Sequence, residues 1–270
     1  MDITWLFQGD DVMQAEKLAI RNTHHQPEAQ LRATLRDVAG GRLKAPLHAV
    51  PVGTVEFTLA VMGAHGIRKP APFCYPDVLS PLLDRRIVRG RYGDAAEGQF
   101  VKPAGATKLF TGHIKGDPAY ADELVRVLQL EASDVWISEP VRFVAEARHY
   151  ILNDQCLGWS RYDENEDKIP DPDPAVALTA VRLMAGTSRP CGYTVDVGLT
   201  DDGRSLVVEC NDGWALGFYG SDTMSEQSYA HLIAMRWLEI AGRSLEAEQR
   251  QFDSRCPRPR PRPRGDGSPP

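Results

Sequence analysis

The stretch VDVGLTDDGRSLVVECN, residues 195–211, carries apolar and polar residues on both sides of an Asp-Gly pair and predicts a β-hairpin. With Asp202-Gly203 as a two-residue turn, Asp196 lies opposite Glu209, and Thr194 lies opposite Asn211. Asp196 and Glu209 would repel one another directly across the hairpin unless a cation lay between them.

Side-chain alternation along the two strands places Asp196, Glu209 and Asn211 on one face. The remaining apolar residues fall on the other face, toward the core: Val195, Val197, Val208 and Cys210. Two carboxylates and one amide oxygen are hard ligands that suit Mg²⁺ carrying phosphate oxygens. A solvated acidic face on an ordinary hairpin is the alternative interpretation.

Composition excludes several classes of protein. The chain has 270 residues with a net charge of −6, which gives no general attraction to nucleic acids or anionic membranes. No apolar run is long enough to span a bilayer, and the first residues, MDITWLF, are typical of a β-strand rather than a signal peptide. The five cysteines include no CxxC pair, which argues against zinc and favours a reduced, cytoplasmic location.

The chain divides into three segments by pattern. Residues 1–92 alternate strand and helix patterns, which predicts a small α/β lobe. Residues 93–250 carry successive strand patterns with helical patterns between them, and they end in a strongly helical stretch, SEQSYAHLIAMRWLEIAG. Residues 251–270 are rich in Pro, Arg and Gly and predict a disordered tail.

A candidate phosphate-binding segment is FVKPAGATKLFTG, residues 100–112. Lys102 stands at a strand end, and Lys108 lies in a loop of small residues. Backbone N–H groups of such a loop, together with lysines, can bind phosphates. The GK[ST] ending of a Walker A loop is missing, so a surface loop with two solvated lysines is the alternative.

A break between strands occurs in SEPVRFVAEARHYI, residues 138–151, where Glu139 precedes a proline. Farther along, Glu146 and Arg148 alternate onto one face. They form either an internal ion pair or a surface on which Arg148 meets a polyanionic ligand. In the second case Arg161 joins Arg148 from the adjacent strand.

In chain order these motifs resemble the ATP-grasp superfamily over roughly residues 85–240. The most specific part is Asp196 followed by Glu-x-Asn on a hairpin, which is that superfamily's metal-binding pattern. FVKP, SEPVRFVAEAR, GWSRY and ECNDGWALGFYG together resemble the clade named for two arginines and a lysine. The resemblance implies an α+β ATP-grasp fold, with two α+β lobes around the nucleotide and a small α/β lobe before them.

The resemblance also implies roles for individual residues. The residues implied to hold Mg²⁺ are Asp196, Glu209 and Asn211. The basic residues implied to meet phosphates are Lys102, Lys108, Arg148 and Arg161, with Arg86 of DRRIVRG as a further candidate. Two glutamates are implied to lie beside the nucleoside: Glu139 at the hinge near adenine and Glu146 near the ribose hydroxyls.

The implied activity is that of an ATP-dependent carboxylate–amine ligase, with ATP and Mg²⁺ as cofactors. ATP would convert a carboxylate into an acylphosphate, which an amine then attacks. The implied partners are small-molecule or peptide carboxylates and amines. Charge and hydropathy predict neither a membrane nor a nucleic acid as a partner, and nucleic-acid binding through the alternating arginines of the tail is the alternative to a disordered, soluble tail. A phosphotransferase on the same scaffold and a non-catalytic nucleotide-binding module are the alternatives.

The chain departs from D-alanine–D-alanine ligases after Asn211, where DGWALGFYG replaces their Pro-Gly turn. We expect this segment to lead the chain back over the substrate cleft. Trp214 then either walls the acceptor pocket or simply packs in the core.

Overall fold

Three β-sheets and their helices make up the part of the protein that the computed structural model describes. That part comprises residues 3–23, 29–105, 107, 109–120, 129–163, 169–221 and 223–255, with the backbone alone for 120 and 243–255. The strands are β1 (Trp5–Gln8), β2 (Gln30–Ala33), β3 (Val50–Val52), β4 (Ile87–Arg91), β5 (Phe100–Pro103), β6 (His113–Ile114), β7 (Asp134–Ser138), β8 (Phe143–Leu152), β9 (Gln155–Arg161), β10 (Gly192–Thr200) and β11 (Ser205–Asp212). The helices are α1 (Gln14–Thr23), α2 (Leu35–Ala39), α3 (Val55–Ala64), α4 (Ser80–Leu83), α5 (Pro174–Met184) and α6 (Glu226–Arg255). Within this part, none of the helices combines the length and the apolar character that crossing a bilayer requires.

The N-terminal lobe is a parallel sheet in the order β2-β1-β3, which agrees with the predicted α/β lobe. Its central strand, β1, is buried along its whole length. Helix α6 returns from the far end of the chain and packs on the same core. There Trp237 is 1% exposed and donates its indole N–H to the carbonyl of Leu47 at 3.1 Å. The two ends of the described fold therefore share one hydrophobic core.

The second sheet is antiparallel, in the order β4-β7-β5-β6. Strand β4 belongs to the first predicted segment, residues 1–92, but it pairs with β7 along its whole length. We therefore propose that the second lobe begins before residue 87. Of the predicted tail, residues 251–255 continue the backbone of α6, and 256–270 lie outside the described residues.

The third sheet, in the order β11-β10-β8-β9, contains the hairpin that the sequence singled out. Asp196 pairs with Glu209 and Thr194 pairs with Asn211, as predicted. The turn has three residues rather than two, because Thr200 and Arg204 pair across it and Gly203 adopts a φ of +85°.

One extra residue in β11, Val208, restores the predicted pairing beyond the turn. Val197 pairs with Val207, and the register shifts between there and Asp196. The prediction that Val208 faces the core is therefore wrong. Val207 takes the core position and is fully buried, whereas Val208 lines the cleft described below.

A second bulge has the opposite effect on the β8–β9 hairpin. The strands are joined by a two-residue turn, Asn153-Asp154, with both residues at positive φ. A register shift between Tyr150 and Ile151 then moves every later pair by one residue, so that Arg148 pairs with Ser160 and Arg161 pairs with Ala147. Since one residue of slip exchanges the faces of a strand, Arg161 lies on the opposite face from Arg148.

Candidate nucleotide and metal site

A cleft of about 790 Å³ is lined by residues of both antiparallel sheets and of the segments beside them. The lining includes six of the predicted site residues: Lys102, Glu139, Glu146, Arg148, Glu209 and Asn211. The cleft has the size of pockets that bind small molecules and cofactors.

Asp196 lies at the floor of this site and has no exposed side-chain surface. The guanidinium of Arg148, on the neighbouring strand, donates from Nε and Nη2 to the two carboxylate oxygens at 2.9 and 2.8 Å. Burial raises the pKa of Asp196, and the charge of Arg148 opposes that shift. A buried carboxylate with a bidentate arginine is costly to disrupt, because loss of either partner leaves an uncompensated charge.

Glu209 is paired in the same way with a cation from the other sheet. Its carboxylate accepts a hydrogen bond from Nζ of Lys102, whose ammonium also lies 5.0 Å from the ring centroid of Tyr75. Burial acts to raise the pKa of Glu209, but the charge of Lys102 outweighs it and the pKa is lowered. This ion pair joins β5 to β11 across the cleft.

Asn211 connects the two carboxylates. Its Nδ2 donates to Oδ2 of Asp196 and to Oε1 of Glu209, both at 3.2 Å. The predicted metal residues therefore converge within hydrogen-bonding distance of one another. Among the described residues no group of three or more His, Cys, Asp and Glu side chains has the arrangement of a metal site, so any cation here relies on the amide as well as the carboxylates.

The two glutamates predicted to lie beside the nucleoside occupy different parts of the cleft. Glu139 is exposed just after β7 and accepts a hydrogen bond from the backbone N–H of Arg86 at 2.9 Å. Glu146 accepts a hydrogen bond from the hydroxyl of Tyr162, and burial raises the pKa of its carboxyl.

The segment after β11 returns across the third sheet, as expected from the sequence. The hydroxyl of Tyr150 donates to the carbonyl of Gly217 and accepts from the N–H of Tyr219, both at 3.0 Å. Glu16 of the N-terminal lobe accepts from the N–H of Phe218 at 2.9 Å. These bonds hold Tyr219 at the wall of the cleft.

Two tyrosines beside the cleft contact Arg148. The rings of Tyr162 and Tyr219 stack with centroids 5.3 Å apart, and the guanidinium carbon lies 5.4 Å from each centroid. Cation–π contacts of this kind fix a guanidinium in one orientation. Trp214 is 7% exposed and packs in the N-terminal core, where it also borders a smaller cavity of about 120 Å³ beside Asn211.

One predicted phosphate contact, Arg161, does not join the site, and a second is not described by the structure. Lys108 lies outside the described residues. The guanidinium of Arg161 donates to both carboxylate oxygens of Asp163, at 3.0 and 2.7 Å, on the face away from Arg148. The bulge in β9 is the physical reason, since an unbroken hairpin would have turned Arg161 toward the cleft.

Arg85, rather than Arg86, reaches the cleft from the segment before β4. It donates to the carbonyls of Val207 and Val208 at 3.1 and 2.8 Å, and it therefore braces the bulge in β11. The sequence offered no signal for this contact, because the bulge that exposes these carbonyls was not predicted. Tyr162 and Tyr219 belong to the motifs GWSRY and DGWALGFYG, so their types were noticed without a role.

A family model matches the part of the chain that contains this site. Residues 82–230 match the model of an ATP-grasp domain, family 2 of the clade named for two arginines and a lysine. Comparison with curated protein sequences gives no match.

Solved structures share the fold at low sequence identity. D-cycloserine synthetase DcsG is 15% identical with a TM-score of 0.51, over 87% of this chain and 99% of that chain. A RimK domain protein ATP-grasp from Sphaerobacter thermophilus DSM 20745 is 17% identical with a TM-score of 0.50, over 86% and 99%. The ATP-grasp ligase PsnB, complexed with precursor peptide PsnA2 and AMPPNP, is 16% identical with a TM-score of 0.49, over 87% and 97%. Since the family model covers more than half of the chain, this protein belongs to the ATP-grasp family, in the clade named for two arginines and a lysine.

Proposed function

We propose that this protein is an ATP-dependent carboxylate–amine ligase that activates a carboxylate as an acylphosphate for attack by an amine. The observation that carries the proposal is the hydrogen-bonded convergence of Asp196, Glu209 and Asn211 with Lys102 and Arg148 at one cleft, where all but the buried Asp196 line the wall. ATP-grasp membership supports the same conclusion.

The chemistry of the donor set fits Mg²⁺. Asp196, Glu209 and Asn211 offer two carboxylates and an amide oxygen, which are the hard oxygen ligands this ion prefers. These three side chains would hold the ion. A bound magnesium ion would supply neutralisation of phosphate charge.

The protein's own side chains then bind and orient the reactants. Lys102 projects from β5 into the cleft, where its ammonium can donate to nucleotide phosphates. Arg148, which contacts two tyrosines and Asp196, offers an oriented guanidinium for charge that develops during phosphoryl transfer. No side-chain nucleophile is required, because the substrate carboxylate attacks the terminal phosphorus and an amine later displaces phosphate.

Glu139 and Glu146 are proposed to lie beside adenine and the ribose hydroxyls, respectively. Both line the cleft, and Tyr162 holds the carboxyl of Glu146. Lys108 remains a candidate phosphate contact on sequence grounds alone.

The substrates are proposed to be a small-molecule or peptide carboxylate and an amine. The activity named for one similar protein, synthesis of D-cycloserine, guides the choice of small-molecule candidates. A useful panel therefore contains free amino acids, short peptides and simple amines, offered singly and in pairs.

The test is release of ADP and phosphate from ATP across this panel. A ligase releases ADP when both a carboxylate and an amine are present, and Asp196→Asn abolishes the release. Glu209→Gln serves as a second variant, because removal of the Glu209 charge leaves the Arg148–Asp196 pair intact. A stable phosphorylated product with a single substrate would instead identify a phosphotransferase, and AMP with pyrophosphate would overturn the proposed chemistry.

A further inference from the structure

The proposed metal site has a built-in charge balance. Each carboxylate has its own cation: Asp196 with Arg148, and Glu209 with Lys102. Lys102, Arg148 and Glu209 line the cleft and Asp196 is buried behind Arg148, so that exposure of the four side chains ranges from 0% for Asp196 to 23% for Glu209. The cluster therefore has a net charge of zero before any ligand binds.

We propose that Lys102 and Arg148 occupy the place of the divalent cation, so that the site refuses free Mg²⁺ and accepts the metal only together with a polyphosphate. This inference rests on the proposed function. The inference concerns the order in which the metal ion and the nucleotide bind. Lys102 is the group that the incoming complex displaces.

Electrostatics decides against free metal. A divalent ion beside Glu209 would meet the ammonium of Lys102 and the guanidinium of Arg148, the two cations that already neutralise Glu209 and Asp196. In a site of lowered dielectric, this repulsion is stronger than it would be in water. A nucleoside triphosphate brings more negative charge than the metal brings positive charge. Its phosphate oxygens also give Lys102 a new hydrogen-bonding partner.

The two cations differ in how easily they can leave. Arg148 is held by two hydrogen bonds to Asp196 and by the rings of Tyr162 and Tyr219. Lys102 is held by Glu209 and the face of Tyr75, on a flexible side chain. We therefore assign the exchange to Lys102, which moves from Glu209 to the phosphates as the metal complex enters.

The orientation of Asn211 supports the same conclusion. Its carboxamide directs Nδ2 toward both carboxylates, whereas a metal ligand must present Oδ1. The amide must turn over before it can coordinate a cation. In the arrangement seen here it stabilises the two carboxylates as a hydrogen-bond donor, which again matches a site closed to free metal.

The experiment titrates Mn²⁺ into the full-length protein and follows free Mn²⁺ by electron paramagnetic resonance, after subtraction of the Mn²⁺ that AMPPNP binds in the absence of protein. Mn²⁺ is a suitable probe because it favours the same oxygen ligands as Mg²⁺. The wild-type protein without nucleotide is expected to bind no Mn²⁺ in the cleft at concentrations where the protein with AMPPNP binds one ion. Lys102→Met, without nucleotide, is expected to bind Mn²⁺ at least tenfold more tightly than wild type.

Matched variants identify the source of any gain. Lys102→Gln removes the charge but keeps a donor for Glu209, and it should show the same gain if Lys102→Met fails to fold. Adding Glu209→Gln to either variant should remove the gain. Lys115→Met is the control, because Lys115 lies in the same lobe and donates to the backbone carbonyls of Tyr92 and Ala95 rather than to a carboxylate of the cleft.

Two outcomes would overturn the inference: wild-type protein that binds Mn²⁺ equally well with and without AMPPNP, or Lys102 variants with unchanged Mn²⁺ affinity. Failure of the proposed function has a different signature. In that case wild type binds no Mn²⁺ even with AMPPNP, while the comparison between wild type and the Lys102 variants still decides whether the lysine excludes the metal.

Discussion

At the scale of single residues, the site is defined by which charges are paired. The bidentate Arg148–Asp196 pair is buried, whereas Arg89 and Asp134 form an ion pair with both side chains more than half exposed. The free-energy cost of losing one partner therefore differs between these two ion pairs. Loss of one partner leaves a buried charge in the first pair and a hydrated charge in the second.

Asp196→Asn is accordingly expected to lower the free energy of unfolding by about 3–5 kcal/mol. Asp134→Asn, the matched control, is expected to change it by less than about 1 kcal/mol. Urea unfolding at neutral pH measures both. Equal effects for the two variants would show that the Arg148–Asp196 pair is not a buried ion pair.

The residues of the metal pattern could be predicted from sequence because the bulge at Val208 offsets the longer turn, which leaves the predicted pairing of Asp196 with Glu209 in place. Alternation alone brought Asp196, Glu209 and Asn211 to one face, and their convergence is what the structure shows. Alternation failed for Arg161 because β9 contains an extra residue beside Gly158, and this glycine within the strand is the sequence signal of a bulge that the prediction did not use. The partners Tyr162 and Tyr219 depend on a loop path that no local pattern specifies.

At the scale of elements, the two hairpins of the third sheet differ in what their bulges do. In β10–β11 the bulge compensates for a longer turn and keeps Asp196 opposite Glu209. In β8–β9 it exchanges the faces of the later part of β9 relative to β8. The predicted register of the first hairpin was thus right at the site and wrong next to the turn, where Val208 was assigned to the core.

The segment that follows β11 is tied to β8 by the hydroxyl of Tyr150, which makes two hydrogen bonds to its backbone. Tyr150→Phe is expected to destabilise the fold by about 1–3 kcal/mol, because buried backbone groups lose their partner. Tyr229→Phe removes a single bond to the same segment, at Leu216, and should cost less. Chemical denaturation compares the two, and a larger effect for Tyr229→Phe would contradict this account of the loop.

Strand β8 also carries a histidine, His149, whose titration makes the stability of the fold depend on pH. Burial lowers the pKa of His149 to about 4, and its ring stacks on Trp159 with centroids 6.0 Å apart. Between the pKa of a free histidine, about 6.5, and that value, the unfolded chain binds a proton that the folded chain does not. Stability is therefore lost as the pH falls through this window.

His149→Phe keeps an aromatic ring against Trp159 and removes the titration. Wild type is expected to lose about 2 kcal/mol more than this variant between pH 7.5 and pH 5. Urea unfolding at the two pH values gives the difference, from which the contributions of all other groups cancel. Identical losses of stability in both proteins would mean that His149 takes up its proton as readily in the folded state as in the unfolded state.

At the scale of the whole molecule, the N-terminal lobe and helix α6 cannot be separated. The family match covers residues 82–230, but α6 packs on α1 and β3 of the N-terminal lobe as well as on β8 and β10 of the third sheet. Composition and pattern predicted the lobe and the helix. Their contact could not be predicted, because it joins segments more than 150 residues apart in the chain.

A fragment of residues 82–270 is therefore expected to be insoluble or to lack a cooperative thermal transition, although it contains the whole matched domain. Differential scanning calorimetry of the fragment and the full chain provides the comparison. A cooperative transition in the fragment would show that α6 finds a sufficient core without the N-terminal lobe.

The central claim is that Asp196, Glu209 and Asn211 act together on a magnesium–nucleotide complex. Calorimetric titration of the full chain with AMPPNP, with and without Mg²⁺, tests it most directly. The account predicts one site per chain that requires Mg²⁺ and is lost in Glu209→Gln. Binding that is equally strong without Mg²⁺, or that survives Glu209→Gln unchanged, would contradict it.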